Sequence, residues 1–445
     1  MTRHQIDPRK VSESDLARHL LAARGIQWMR GNRGDPYALI LRAQGIDPRR
    51  LFPALRGAPA LRQSETDVWV TVDHAAGALV LADTRLKLRD RSADRRRKRI
   101  FSIDSRTSLK HVLSVDDGVC SPERADQDRL AALTSAAIGP QAMQRRRDDV
   151  TRVFRDAVKR CGDRFDLMRD FARVAVADVL GDLLGVPETQ RDRFAAALPG
   201  TGFALDAALC PPTLGMTRTL VESFDTLRDL IAASVEARSA AGARGGVPDG
   251  TADGDVIGTV LTAGGTPDDA VAAGLITAVV GAEITANLIG AAACALLDDP
   301  QQWRMLCDDP DRAVAAVEET LRHDPPVRIE SRIAAEAVEI AGQSVPAGDQ
   351  VVVLVDGANR DPDVFTDPDR FAIDRTATDR PPSSGHLSLS AGTSSALVAA
   401  PARLLAEVAL RTLATHAAGL RPAGEVVRRM RSPVVRGIAR CPVEV

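Results

Sequence analysis

The chain has 445 residues, 44% hydrophobic and 27% charged, with a formal net charge of −2. That composition supports a large buried core and excludes a disordered or collagen-like chain. Only five of the 58 basic residues are Lys, and the near balance of charge supplies no field for steering polyanions, so no nucleic-acid partner is expected.

In chain order, Met1 to Lys10 is polar and has no apolar core segment, so no signal peptide is expected. Residues 1–65 read as an N-terminal segment packing on a main domain of residues 66–445. VWVTVDHAAGALVLAD (Val68–Asp83) reads as a short strand followed by a helix. Leu86 to Asp117 reads as a long charged loop. Its run Arg95-Arg96-Arg97-Lys98-Arg99 is either a solvated face or a partner contact. From Pro122 to Leu198 a 3.6-residue period persists, with turns at Gly139-Pro140 and Gly185-Val186-Pro187. Glu236 to Gly254, rich in Gly and Ala, reads as a surface loop.

A long helix is expected next. Thr266 suits the N-cap, Pro267 the first turn, and Asp268 and Asp269 the positive end of the dipole, with an end near Asp298-Asp299-Pro300. From Ala270 to Leu297 its only charge is Glu283. A central carboxylate costs about 3 kcal/mol in a membrane, so a helix buried within the protein is expected, with no membrane partner. A second helix runs from Asp311 to His323 and is stopped by Pro325-Pro326. Val338 to Val355 suggests a hairpin turning at Pro-Ala-Gly-Asp, and the C-terminal residues alternate like strands. The expected fold is mainly α with small β-sheets. Cys120, Cys161, Cys210, Cys294, Cys307 and Cys441 are scattered without zinc spacing. Free thiols and no export signal imply the cytoplasm, and no metal site is expected.

Four segments together resemble the cytochrome P-450 superfamily. EETLRHDPPV (Glu318–Val327) carries Glu319 and Arg322 three apart on one helix face. ANRDPDVFTDPDRF (Ala358–Phe371) is similar to the superfamily's meander. AGLITAVVGAEITANLIG is similar to the helix that crosses the cofactor, and HLSLSAGTSSALVAAPARLL (His386–Leu405) to the cofactor loop. The resemblance implies a buried ion network of Glu319, Arg322 and Arg370. It also implies a haem thiolate at the position of Ala396, where a methyl group can donate nothing to iron. Around it stand Leu389, Ser390, Gly392, Ser394 and Val398, with Ala399, Ala402 and Arg403 keeping the flanking frame.

Two further departures follow from the same resemblance. Where the family has an acid followed by Thr, this chain has Glu283 followed by Ile284. Where it has a propionate-holding His and Arg, this chain has Gln127 and Ala131, although Arg332 and His386 still match other propionate positions. Ligand, proton relay and clamp are altered together, so no cofactor and no catalysis are expected.

RGIQWMRGNRGDPYALIL (Arg24–Leu41), TDVWVTVDHA (Thr66–Ala75), EITA and VVRRMRSPVVRGIARCPVEV resemble a haem-free subgroup of the superfamily from antibiotic gene clusters of actinomycetes. The members of that subgroup act as auxiliary proteins to deoxysugar glycosyltransferases working on macrolide or anthracycline aglycones. The resemblance implies a partner that this chain binds, stabilises and activates, in a heterotetramer with two copies of each. Arg24, Trp28 and Tyr37 are candidate partner contacts, since Arg and aromatic residues tend to anchor interfaces; Trp28 could instead pack the N-terminal segment onto the core. Two other readings stand beside this one: a small-molecule binder that uses the emptied haem cavity for an aglycone, and a haem monooxygenase with an atypical ligand.

Overall fold

The structure, a computed structural model, describes residues 12–42, 46–88, 124–207, 209–243, 254–375, 385–389, 395–429 and 431–445. The basic run at Arg95–Arg99, Cys120, and the loop residues Ser390, Gly392 and Ser394 lie outside them.

Helices dominate, and the central one runs from Pro267 to Asp298. Its start is a capping box: the Asp269 N–H donates to the Thr266 hydroxyl (3.1 Å), and the Thr266 N–H donates back to the Asp269 carboxylate (2.9 Å). Its most apolar stretch is 94% buried inside the protein, which accounts for its hydrophobicity without a bilayer. Between Ile276 and Gly281 the helix widens into π geometry. The helices Ala313–His323 and Ser395–His416 pack on it. At Gly290 a Cβ would stand 2.4 Å from the Met168 sulfur, so glycine is needed for this approach.

A five-stranded sheet lies beside the helices in the order Arg62–Gln63, Val68–Thr71, Gln350–Leu354, Ile329–Ala334, Leu86–Lys87. Val68–Thr71 runs parallel to Gln350–Leu354, with Val70 opposite Val352; the other pairings are antiparallel. Residues 12–65 share the common core. Leu16 and Leu20 enter the large helical cluster. Tyr37, Ile40, Phe52 and Leu55 pack with Val70, Val352 and Val434.

Three expectations need correction. Glu236–Ala243 is not loop, because the helix Leu214–Ala243 runs through it; Ala and Arg are good helix formers, and Gly242 is the one glycine in that stretch. The hairpin of Val338–Ile340 with Gln343–Val345 turns at Ala341-Gly342, both at positive φ (50° and 74°), and not at Pro-Ala-Gly-Asp. Two left-handed residues match the twist of paired strands, which an ordinary turn does not. Leu86–Lys87, expected in a loop, is an edge strand.

The short helix Ala204–Ala207 meets the C-terminal hairpin through one carboxyl group. Asp206 accepts hydrogen bonds from the N–H groups of Val434 (2.8 Å) and Val435 (3.3 Å) and lies 2.6 Å from the Ser432 hydroxyl. It is 2% exposed, and burial pushes its pKa up to about 7 despite these bonds. A carboxyl whose pKa rises on folding stabilises below its unfolded value, near 4, and loses that contribution as pH rises through about 7. Stability should therefore fall between about pH 4 and pH 7, by about 4 kcal/mol at most from this group. Denaturant midpoints measured across that range should decline for the natural chain and flatten for Asp206→Asn; parallel slopes would remove Asp206 as the cause.

Candidate functional site

The residues aligned with a haem pocket converge between the long helix, the helix Ala313–His323 and the helix Ser395–His416. Glu319 and Arg322 face inward because they are three apart on one helical face. Arg322 Nε and Nη2 donate to the two Glu319 carboxylate oxygens at 2.9 and 2.8 Å. The other donors of Arg322 go to backbone carbonyls: Nη1 to Asn359 (3.1 Å) and Pro368 (2.8 Å), Nη2 to Arg370 (2.9 Å).

The third cation of this network is Arg375, not Arg370. Arg375 Nε donates to Glu319 Oε1 at 3.3 Å, and its Nη2 donates to the Arg370 carbonyl at 2.9 Å. Arg370 contributes only that carbonyl. The turn at Asp367 (φ 45°), closed by the Arg370 N–H on the Asp367 carbonyl, aims its side chain into solvent. Both arginines follow the meander at plausible spacing, so only the turn could decide between them.

The segment before the loop is held by groups that motif matching passed over. Asn359 accepts from the Leu387 N–H (2.7 Å) and donates to Ser388 Oγ (2.9 Å) and the Leu321 carbonyl (3.2 Å). Glu318 lies 3.0 Å from His386 Nε2 and accepts from Arg403 Nε at 2.7 Å. Burial pushes the Glu318 carboxyl up, but His386 and Arg403 outweigh it and hold it at about 2. The His386 ring is therefore held against the Glu318 carboxylate. Arg332 is buried on its strand, with Nη1 3.0 Å from Glu330.

Ala396 lies in the first turn of the helix Ser395–His416, followed by the buried Leu397 and Val398. An alanine has no lone pair for iron wherever it points. Cys294 and Cys441 are buried with their sulfurs 3.5 Å from each other, on the long helix and near the C-terminus. Among the described residues no group of three His, Cys, Asp or Glu could hold a metal ion. Gln127 and Ala131, one turn apart on the helix Arg124–Ile138, carry no charge for a propionate. The residues present do not fit a thiolate-ligated haem.

Glu283, expected from the resemblance beside a proton relay, is held by charged and polar neighbours. It is 4% exposed, pairs with Arg429 at 2.6 Å, and lies 3.8 Å from Arg173. Asn287 Nδ2 donates to its backbone carbonyl (2.8 Å), and Asn287 Oδ1 accepts from the Ile438 N–H (2.8 Å). Arg429 also donates to the Gly202 carbonyl (2.9 Å), with its guanidinium 5.3 Å from the Phe203 ring centre. A Cβ on Gly437 would lie 3.0 Å from Glu283 Oε1, so the hairpin backbone passes directly over the carboxylate. Ile284 is buried apolar filling. The acid that could move protons is thus an anchor for the C-terminal hairpin.

The three candidate partner contacts separate. Tyr37 is 2% exposed and packs in the core, so it is not a surface contact: Pro36–Arg42 turns that face onto the sheet. Arg24 is half-buried, and desolvation, helped by nearby Arg431, lowers its pKa. Trp28 is 53% exposed, with Leu21 (64%) two turns before it on the same helical face and Met29 (45%) beside it. The Arg42 guanidinium lies 5.5 Å from the Trp28 ring centre, which braces the indole in water. Trp28 is therefore a surface residue, not core packing.

Removing one partner of a buried pair leaves an uncompensated charge, at a cost of about 3–5 kcal/mol. Glu283→Ala should lower unfolding stability by that amount in a denaturant melt. A loss below about 1 kcal/mol would mean that the cluster does not hold the hairpin.

The family description Cytochrome P450 matches residues 313–393. The chain is 45% identical to Protein AknT of Streptomyces galilaeus over 97% of this chain and 96% of that protein. It is 36% identical to Protein DesVIII of Streptomyces venezuelae over 98% of this chain and 95% of that one. Among solved structures, ligand-free CYP164A2 of Mycobacterium smegmatis is similar with a TM-score of 0.73 at 28% identity, covering 92% of this chain and 99% of that one. End-to-end identity at this level places the chain in the cytochrome P450 family, in the branch that contains AknT and DesVIII.

Proposed function

We propose that this protein is a non-catalytic auxiliary factor that binds, stabilises and activates a deoxysugar glycosyltransferase in antibiotic biosynthesis. What carries the reading is Ala396, which the family resemblance aligns with the iron ligand and which has no donor atom, beside a Glu319–Arg322–Arg375 network that is complete. A chain that keeps the fold and lacks the metal ligand is selected for its surface and not for oxidation. The likeness to AknT and DesVIII over nearly the whole chain supports the same reading. The sugar chemistry belongs to the partner. The working assembly is a cytoplasmic heterotetramer of two auxiliary and two transferase chains.

Activation follows from linkage. A factor that binds the active transferase conformation more tightly than the inactive one raises the active-to-inactive ratio tenfold for about 1.4 kcal/mol of differential binding. Trp28 is the contact residue we assign, with Arg24 beside it on the helix; an exposed aromatic already braced by Arg42 loses little side-chain freedom on docking.

The test compares glycosyl transfer by the soluble cognate transferase alone and with this protein. Rates should rise at least tenfold on mixing, and equal rates overturn the reading. Trp28→Ala should weaken association about tenfold or more by calorimetry while leaving the melting temperature within about 1 °C.

A further inference from the structure

Five arginines meet where the N-terminal segment, the end of the helix Ala313–His323 and the C-terminal hairpin come together. Arg328 and Arg360 are each 4% exposed. Arg328 pairs with Asp324 and Asp356, and Arg360 with Asp356. Arg428 pairs with Asp324 at 2.7 Å, and Arg436 with Asp47 at 3.3 Å. Arg49 Nε stands 4.0 Å from Asp356, beyond hydrogen-bond reach.

Five guanidiniums therefore face four carboxylates at close range, Asp47, Asp324, Asp356 and Asp369, the last 3.3 Å from Arg360 Nε. Asp369 and the more distant Asp298 are exposed, where water screens them. The Nε atoms of Arg49 and Arg328 are buried without a hydrogen-bond partner among the described residues, and so is His323 Nδ1, while Arg360 Nε has only its ion pair with Asp369. Burial and the neighbouring arginines push the Arg360 pKa down to about 8 and lower that of Arg328. Buried positive charge in excess of its partners is costly, and the guanidinium fork matches the oxygens of a phosphoryl group.

Three of the five arginines reach water. The side chains of Arg49, Arg428 and Arg436 are 32%, 29% and 28% exposed. We propose that these three guanidiniums form the mouth of an anion site that takes a phosphoryl group, either free phosphate or the terminal phosphate of a nucleotide. A bound anion offsets the excess positive charge of the cluster. It also bridges the turn Pro48–Leu51 to the hairpin of Val427–Arg428 with Ile438–Arg440, joining segments nearly 400 positions apart in sequence.

The full chain would be melted in increasing potassium phosphate, in thymidine diphosphate, and in potassium chloride at matched ionic strength. The melting temperature should rise saturably by about 2 °C or more in phosphate and not in chloride. Arg436→Gln should raise the half-saturating phosphate concentration at least tenfold, and Arg436→Lys less. If thymidine diphosphate saturates at lower concentration than phosphate, the natural source is a nucleotide; equal half-saturation assigns free phosphate. A rise no larger than in chloride overturns the site. So does a phosphorus-NMR titration with the same half-saturation for the natural chain and for a folded Arg49→Gln/Arg436→Gln variant.

Discussion

The arrangement of the whole helical face turns on the guanidinium of Arg322. It is 2% exposed, and a buried guanidinium must place its N–H groups on acceptors or destabilise the fold by several kcal/mol. One carboxylate, Glu319, takes two bonds; three backbone carbonyls, at Asn359, Pro368 and Arg370, take the rest. Those carbonyls belong to the irregular chain after the sheet, so the path of that chain is set by one side chain. Asn359 then passes the order on to Leu387 and Ser388, at the entrance to the loop that precedes Ala396.

This explains how the scaffold survives a change of chemistry. The hydrogen bonds of the network run among Glu319, Arg322, Arg375 and backbone carbonyls and involve no atom of Ala396, so they do not depend on the side chain at that position. Glu283 illustrates the reverse case. A carboxylate that exchanges protons needs a loose environment; here Arg429, Asn287 and the close backbone at Gly437 leave Glu283 no freedom. Its charge is used to join the long helix to the hairpin. With Asp206 holding the tip of the same hairpin, two buried carboxylates secure one short C-terminal segment.

The N-terminal segment is part of the same construction. Tyr37 and Phe52 lie in a core shared with the sheet and with Val434 of the hairpin, while Trp28 and Met29 remain outside. The helix Glu13–Asn32 thus has an inner face that anchors it through Leu16 and Leu20, and an outer apolar face that a partner can cover.

Short-range physics made much of this legible in the residues alone. The capping box of Thr266 and Asp269, the proline stop after His323 and the three-residue spacing of Glu319 and Arg322 are all settled within one or two helical turns. The alanine at 396 needs no fold to be read as a missing donor. Tertiary structure decided what depends on distant partners. It chose Arg375 over Arg370, because a turn at Asp367 controls which side chain points inward. It buried Tyr37 and exposed Trp28, two aromatics nine positions apart that sequence patterning did not distinguish. It also gathered arginines from positions 49, 328, 360, 428 and 436 into one cluster. A side chain's surroundings are set by long-range packing, and no local pattern encodes which remote segment will arrive beside it.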